Sequence, residues 1–285
     1  MKSVKYAFAG NRAFVLEKMF ELGLDIAQIW AVKGSYLEHY LRERNMGYLP
    51  IGEKEQFISE IEACSFEYFI GNGLPVILPV TRLQRNHSGK EFINIHPSLL
   101  PQLRGRDPVP GALLFLKDSG ASCHFMNEGI DTGTIISQVR IENTKDLDAG
   151  LLYQLSFMAE ADAFELAYKR NFMPDFEQKD SGDEIYYSFH ENDLKIDLER
   201  ESLESVAARV RAFSTKNKGA YFQYRGKRYQ CEDAVEVKND YLIRKMSKKE
   251  NNTFVMIYEN KMIYKKENRY LKLSVRLPGG GEARK

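Results

Sequence analysis

The feature that most constrains the fold is the regular alternation of short apolar runs with amphipathic helical segments over the first half of the chain. "VKYAFAG" is an apolar run ending at Gly10, and "AFVLEKMFELG" follows with Ala13, Leu16, Met19, Phe20 and Leu22 at helical spacing before Gly23. "DIAQIWAV" reads as a second strand and "SYLEHYLRERN" as a helix with Ser35 at its N-cap. "QFISEIEACS" reads as another helix and "FEYFIGN" as the strand after it. Strands that alternate with helices pair in parallel and bury both faces of their sheet. The implied class is α/β with a Rossmann-like parallel sheet, in which ligands bind beyond the carboxyl ends of the strands.

On this scheme "EFINI" is a central strand with Asn94 and His96 at its carboxyl end. Residues two apart on a strand share a face, so one strand end offers both polar groups to one ligand. Pro97 and Pro101 stiffen the exit loop, "DPVPGALLFLK" starts a helix, and "ASCHFMN" and "GTIISQVRI" are strands. Between those strands "EGIDTG" is a tight loop that presents Asp131 between Gly129 and Gly133. Leu147 to Arg170 reads as one long helix. An amide donor, an imidazole and a carboxylate on neighbouring loops suit acyl transfer to an amine. The amide can donate to a tetrahedral oxyanion, and the imidazole can exchange a proton near neutral pH. The carboxylate can orient the imidazole or accept a proton through water. Spacing alone does not decide this, since N-x-H recurs by chance and an Asp in a glycine loop is usually a turn residue.

"INIHPSLLPQLRG" followed by "HFMNEGIDTGTIISQ" resembles the signature of the folate-dependent formyltransferase family, strongly over about Ile70 to Gln138. The resemblance implies that Asn94 is the oxyanion donor, His96 the general acid/base and Asp131 the carboxylate of the site. It implies N10-formyltetrahydrofolate as co-substrate, with direct attack by a primary amine and no metal. The pterin pocket of the family is lined largely by backbone. That places it at "NGLPVIL" and "NEGID", at Gly73, Leu74, Val76, Leu78, Glu128, Gly129 and Asp131, with His124 either behind the site or in the core. Asn11 and Arg12, at a helix start after the first strand, and Arg104 and Arg106, in "LRGRDP", are candidate contacts for the phosphates of the acceptor. The run "RGRDPVPGAL" is similar to the branch that formylates nucleotide-linked amino sugars, with Gly111 where that branch is expected to carry a bulky aromatic. The acceptor expected is therefore a UDP- or dTDP-linked amino-deoxysugar, such as a 4-amino-4,6-dideoxyhexose. The alternatives are methionyl-tRNA and, further off, an inactive folate-binding domain. "GNRAF" lacks both the glycine-rich phosphate loop expected for glycinamide ribonucleotide formylation and the G-x-G-x-x-G of a nicotinamide enzyme.

From about Asp183 the pattern changes: a connecting segment, the helix "SLESVAARVRAF", then short strands with turns that form a small, mostly β, OB-like module. The expected division is a catalytic domain over 1–203, the β module over 204–278 and a disordered tail over 279–285. Residues 204–285 carry 20 Lys and Arg against 9 Asp and Glu, a net of +11, whereas 1–203 carry 21 against 31, a net of −10. A module this basic could face phosphates, including those of RNA under the tRNA alternative, or be a solvated or docking surface. Tyr221, Phe222, Tyr224 and Tyr229 interleave with Arg225, Lys227 and Arg228, a pattern that suits a β core or nucleic acid, with the core favoured. Cys64, Cys123 and Cys231 form no C-x-x-C pair and suggest neither a disulfide framework nor a zinc site. The run "LPVILPV" is too short to span a bilayer, and the N-terminus lacks the apolar stretch of a signal peptide. The expected setting is the cytoplasm, without a membrane partner, and a homodimer is left open.

Overall fold

The expected alternation is realised as a seven-stranded sheet of order β3-β2-β1-β4-β5-β6-β7. Its strands are β1 (Lys5–Gly10), β2 (Asp25–Val32), β3 (Leu49–Ile51), β4 (Tyr68–Asn72), β5 (Glu91–His96), β6 (Ser119–Phe125) and β7 (Ile135–Ile141). Its helices include α1 (Phe14–Glu21), α2 (Tyr36–Glu43), α3 (Lys54–Ala63), α4 (Val80–Asn86) and α6 (Ala149–Lys169), and α5 (Pro108–Leu114) lies between β5 and β6 in the chain. The computed structural model describes residues 4–86, 89–179, 182–215 and 219–276, so the tail expected over 279–285 lies outside the described residues. The chain forms two compact units, one of Met1–Pro108, Asp118–Glu142 and Gln154–Tyr187, the other of Val109–Lys117, Asn143–Tyr153 and Ser188–Lys285. The second unit thus includes segments that precede residue 204.

Period-two alternation divides the core of the first unit between two faces. Tyr6 and Phe8 of β1, Ile70 of β4 and Ile93 and Ile95 of β5 pack with Leu16 and Met19 of α1, Leu37 and Leu41 of α2 and Phe164 of α6. The intervening residues Ala7, Ala9, Phe69 and Phe92 pack with Trp30, with Phe57, Ile58 and Ile61 of α3 and with Leu83 of α4. Both faces are covered, as a parallel sheet requires. Ser35 caps α2, its hydroxyl accepting the Glu38 N–H at 3.2 Å.

The sheet is mostly parallel, as expected. β1 to β5 are parallel, but β6 pairs antiparallel with β5 and β7 antiparallel with β6. Strand periodicity carries no direction, and the segment between β5 and β6 returns the chain reversed. Phe125, at the end of β6, lies opposite Ile93. The loop that follows must therefore return toward the carboxyl end of β5 to bring Asp131 to His96.

In the second unit, β8 (Tyr221–Tyr224), β9 (Lys227–Glu236), β10 (Thr253–Tyr258), β11 (Lys261–Lys266) and β12 (Arg269–Arg276) form an antiparallel sheet of order β10-β11-β12-β9-β8. Helix α7 (Leu203–Ala212) lies against β9, and α8 (Asp240–Met246) intervenes between β9 and β10. The β8–β9 turn is Arg225-Gly226, both at positive φ, the geometry that matches strand twist in two-residue hairpins. The interleaved aromatics serve this core: Phe222 is buried and stacks on Tyr229 and Phe254. Among the described residues no helix is long and apolar enough to cross a membrane.

Candidate active site

The site grows from the face of β5 that Phe92 anchors in the core. Asn94 and His96 continue that face beyond the cover of α3 and α4, and the register sets Asn94 opposite His124 and His96 opposite Ser122 of β6. On the other side Gly71 of β4 pairs with Asn94. A Cβ at Gly71 would lie 2.6 Å from Met126 and 2.8 Å from Leu74, so glycine here keeps the space beside the Asn94 amide open. Ser122 steadies the loop after His96: its hydroxyl donates to Ser98 O at 2.7 Å and accepts the Leu100 N–H at 3.0 Å.

The G-I-D-T-G loop turns on Asp131 itself, which sits at φ 54°. A Cβ at Gly133 would lie 1.7 Å from Phe125 O, so the loop closes only with glycine there. Asp131 is thereby brought to all of its expected neighbours. Asn94 Nδ2 donates to Asp131 Oδ1 at 3.3 Å, His96 Nδ1 lies 3.5 Å from Oδ2, and the Gly105 N–H donates to Oδ2 at 3.1 Å.

Tautomers follow from the carbonyls. His96 Nε2 donates to Leu103 O at 2.9 Å, which leaves Nδ1 facing Asp131. A proton taken up at Nδ1 is held between imidazole and carboxylate. His124 Nδ1 donates to Phe125 O at 2.8 Å, so Nε2 accepts the second Asn94 amide proton at 3.2 Å while lying 3.6 Å from Asp131 Oδ1. Burial opposes the charge on Asp131, yet the imidazoles of His96 and His124 beside it and the Gly105 N–H together outweigh it. The carboxyl is held below the usual carboxylate range and stays ionised at neutral pH. The cluster can thus polarise a carbonyl through an amide N–H and exchange a proton at an imidazole fixed against a carboxylate.

Residues 45–167 match the model of the formyl transferase family. This stretch is a formyl transferase domain. The methionyl-tRNA formyltransferase of Dehalococcoides mccartyi is 27% identical over 237 residues, 75% of this chain and 73% of that protein. Among solved structures, the N-formyltransferase of Helicobacter canadensis, described in complex with folinic acid and dTDP-3-aminofucose, superposes with a TM-score of 0.74 at 18% identity. It covers 96% of this chain and 100% of its own. A 4-N formyltransferase of Francisella tularensis superposes with a TM-score of 0.66 at 20% identity, covering 80% of this chain and 96% of its own. At these identities the structural likeness establishes the fold.

Within the formyl transferase domain, the second of the two segments expected to line a pterin pocket is tied to the helix that follows the first. Glu128 Oε1 accepts the Thr81 N–H at 2.8 Å at the start of α4. Gly129 N–H donates to Asn127 Oδ1 at 3.0 Å, Leu74 and Val76 are partly buried, and Gly73 sits at φ 76°. Leu78 is directed into the core beside Phe57 and Phe92, so its backbone alone is available to a ligand.

Two candidate phosphate contacts, Arg12 and Arg104, are engaged within the fold. Arg12 is pinned by the buried Glu160, to which Nε donates at 2.6 Å and Nη2 more closely, while Nη1 donates to Asn11 Oδ1 at 2.9 Å. Its guanidinium also lies over Phe157. Arg104 is 1% exposed and donates to Gln178 Oε1 and to the Tyr186 hydroxyl. Neither faces an incoming anion. A sequence shows a cation beside a strand end and not the distant Glu160, Gln178 or Tyr186 that receives it. Arg106 is exposed and has no ion-pair partner among the described residues. The structure adds three groups that the motifs did not indicate: the Leu103 carbonyl, the Gly105 N–H and Gln178, whose amide donates to Asp131 O at 2.9 Å.

Proposed function

We propose that this chain transfers a formyl group from N10-formyltetrahydrofolate to the primary amine of a nucleotide-linked amino-deoxysugar, of the UDP- or dTDP-4-amino-4,6-dideoxyhexose type. The observation that carries formyl transfer is the convergence of Asn94, at 3.3 Å, and His96, at 3.5 Å, on the Asp131 carboxylate. The amine nitrogen attacks the formyl carbon, and the oxygen that gains charge takes over the Asn94 amide N–H that in the free protein donates to His124. His96 Nδ1 takes the proton from the attacking nitrogen, with Asp131 balancing the imidazolium. As the bond from carbon to N10 breaks, a proton is returned to N10, leaving the formamide and tetrahydrofolate. The folate sits in this reading against the backbone of 73–78 and 128–131, and Arg106 is the cation left for the acceptor's phosphates.

The sugar acceptor is supported by two observations. The fold likeness to the Helicobacter canadensis enzyme, described with a dTDP-linked amino sugar, extends over 96% of this chain and 100% of that one. Much of the positive charge of the second unit is engaged internally: Lys265, Lys266, Arg209 and Arg211 donate to backbone carbonyls and Arg269 and Arg276 pair with carboxylates. The competing reading, methionyl-tRNA formylation, draws on the likeness to the Dehalococcoides mccartyi protein over 75% of this chain. The deciding experiment offers purified protein N10-formyltetrahydrofolate with a panel of UDP- and dTDP-linked 3-amino and 4-amino deoxysugars and with methionyl-tRNA. Turnover of a sugar nucleotide is expected. Turnover of the tRNA alone would overturn the sugar reading, and turnover of none would overturn formyl transfer.

A further inference from the structure

The carboxylate of Asp131 belongs to one loop, and the groups that orient it, His96 and the Gly105 N–H, belong to β5 and the loop after it. Such a site keeps its geometry only if the two loops are fixed to each other. The chain after α6 does this. Phe176 forms a bridge with Ile135 at the start of β7, where the Asp175 N–H donates to Ile135 O at 2.7 Å. Tyr186 bridges to Arg104, and the Tyr187 N–H donates to Arg104 O at 3.3 Å. Between these anchors lies Gln178, half-buried. Its Nε2 donates to Asp131 O at 2.9 Å and to Gly133 O at 2.7 Å, and its Oε1 accepts from Arg104 Nη2 at 2.8 Å and Nε at 3.2 Å.

We propose that Gln178 is a positioning residue of this active site: one amide that grips the Asp131 loop with its nitrogen and the Gly105 loop, through Arg104, with its oxygen. The polarity of the contacts singles out an amide. Two carbonyls demand a donor at one end and a guanidinium demands an acceptor at the other, a pairing that neither a carboxylate nor a hydrocarbon side chain supplies. Asp131 needs the grip because its left-handed backbone is costly for a residue other than glycine. Arg104 passes the constraint on, since the N–H of the next residue, Gly105, is the one that holds Asp131 Oδ2. The catalytic consequence rests on the formyl-transfer reading, whereas the effect on the carboxylate itself does not.

The test uses Gln178→Met, which keeps the volume, and Gln178→Glu, which keeps an acceptor for the buried Arg104 and so guards against loss of folding. The kcat of both variants is measured with the acceptor that the unaltered enzyme formylates. The Asp131 carboxyl is titrated by carbon-13 NMR, with Asp131→Asn assigning the signal. Both variants are expected to lose about 100-fold in kcat, the scale of an ångström of misplacement. In both, the Asp131 carboxyl is expected to titrate closer to the ordinary value of about 3.9 than in the unaltered protein. Retention of kcat within about twofold in either folded variant would overturn the proposal, as would loss of kcat with an unmoved Asp131 titration, because the effect would then arrive by another route. If the unaltered protein formylates no acceptor, the formyl-transfer reading fails separately and the titration alone decides the role of Gln178.

Discussion

The two units bury positive charge in different ways. The first sets its buried arginines against specific side chains, Arg12 against Glu160 and Arg104 against Gln178, and each pair stands close behind a loop of the candidate site. The second sets buried lysines against backbone: Lys265 Nζ donates to Ser247 O and Lys249 O, and Lys266 Nζ to Glu199 O and Glu201 O. The first arrangement fixes side-chain geometry, and the second ties chain turns to a strand. The contrast teaches that a net charge of +11 over 204–285 counts the ammonium groups of lysines that are buried in the fold.

The largest effect that would sharpen this contrast lies in the site. His96→Asn and Asp131→Asn are each expected to lower kcat about 10³-fold while leaving the circular dichroism spectrum intact, the scale of general acid–base catalysis. Near-normal turnover by either would remove the mechanism. Asp131 also makes a pH prediction. Its folded-state carboxyl lies below the ordinary range, so the stabilisation it brings is fully present above the unfolded value of about 3.9 and is lost as pH falls through the lower folded value. The difference in urea stability between the unaltered protein and Asp131→Asn should therefore hold constant from pH 7 to 5 and narrow below about pH 4. A difference that widened on acidification would reverse the sign assigned to the carboxylate.

Next comes Arg12→Met, which strands the fully buried Glu160 and is expected to cost about 3–5 kcal/mol in urea unfolding. The paired replacement Arg12→Met with Glu160→Met should recover most of that loss. Lys266→Met is milder, since it leaves carbonyls rather than a charge without partners, and about 1–3 kcal/mol is expected. Equal costs at the two positions would erase the distinction between side-chain and backbone neutralisation.

How legible this was in the sequence depended on the kind of signal. Asn94 and His96 were readable because two residues of one strand end share a face whatever the strand pairs with. Asp131 was readable from the glycines around it. The direction of β6 was not, because alternation looks the same in either direction, and the short β3 and α4 left too few residues for a period to register. Gln178 lies in an irregular segment where no period operates, and an amide carries no charge to mark it. Arg12 and Arg104 show the opposite, conspicuous in sequence and engaged by distant partners in the fold.

The smallest expected effect tests the second unit. Arg244, Lys245, Lys248 and Lys249 are exposed on α8 and just beyond it, the basic residues of this unit best placed for a phosphate backbone. Reversing all four to Glu should change formylation of a sugar nucleotide by less than about twofold at low and at physiological salt. Nothing in the sugar reading engages them, and surface substitutions away from buried features move stability by about 0.5 kcal/mol or less. Under the tRNA reading the same reversal removes phosphate contacts, each responsible for about 0.7 of the log–log salt slope on a single strand. A fall of tenfold or more in methionyl-tRNA formylation, with a flattened salt slope, would show that the exposed remainder of the +11 is a binding surface, and the contrast between the units would become one of function instead of packing.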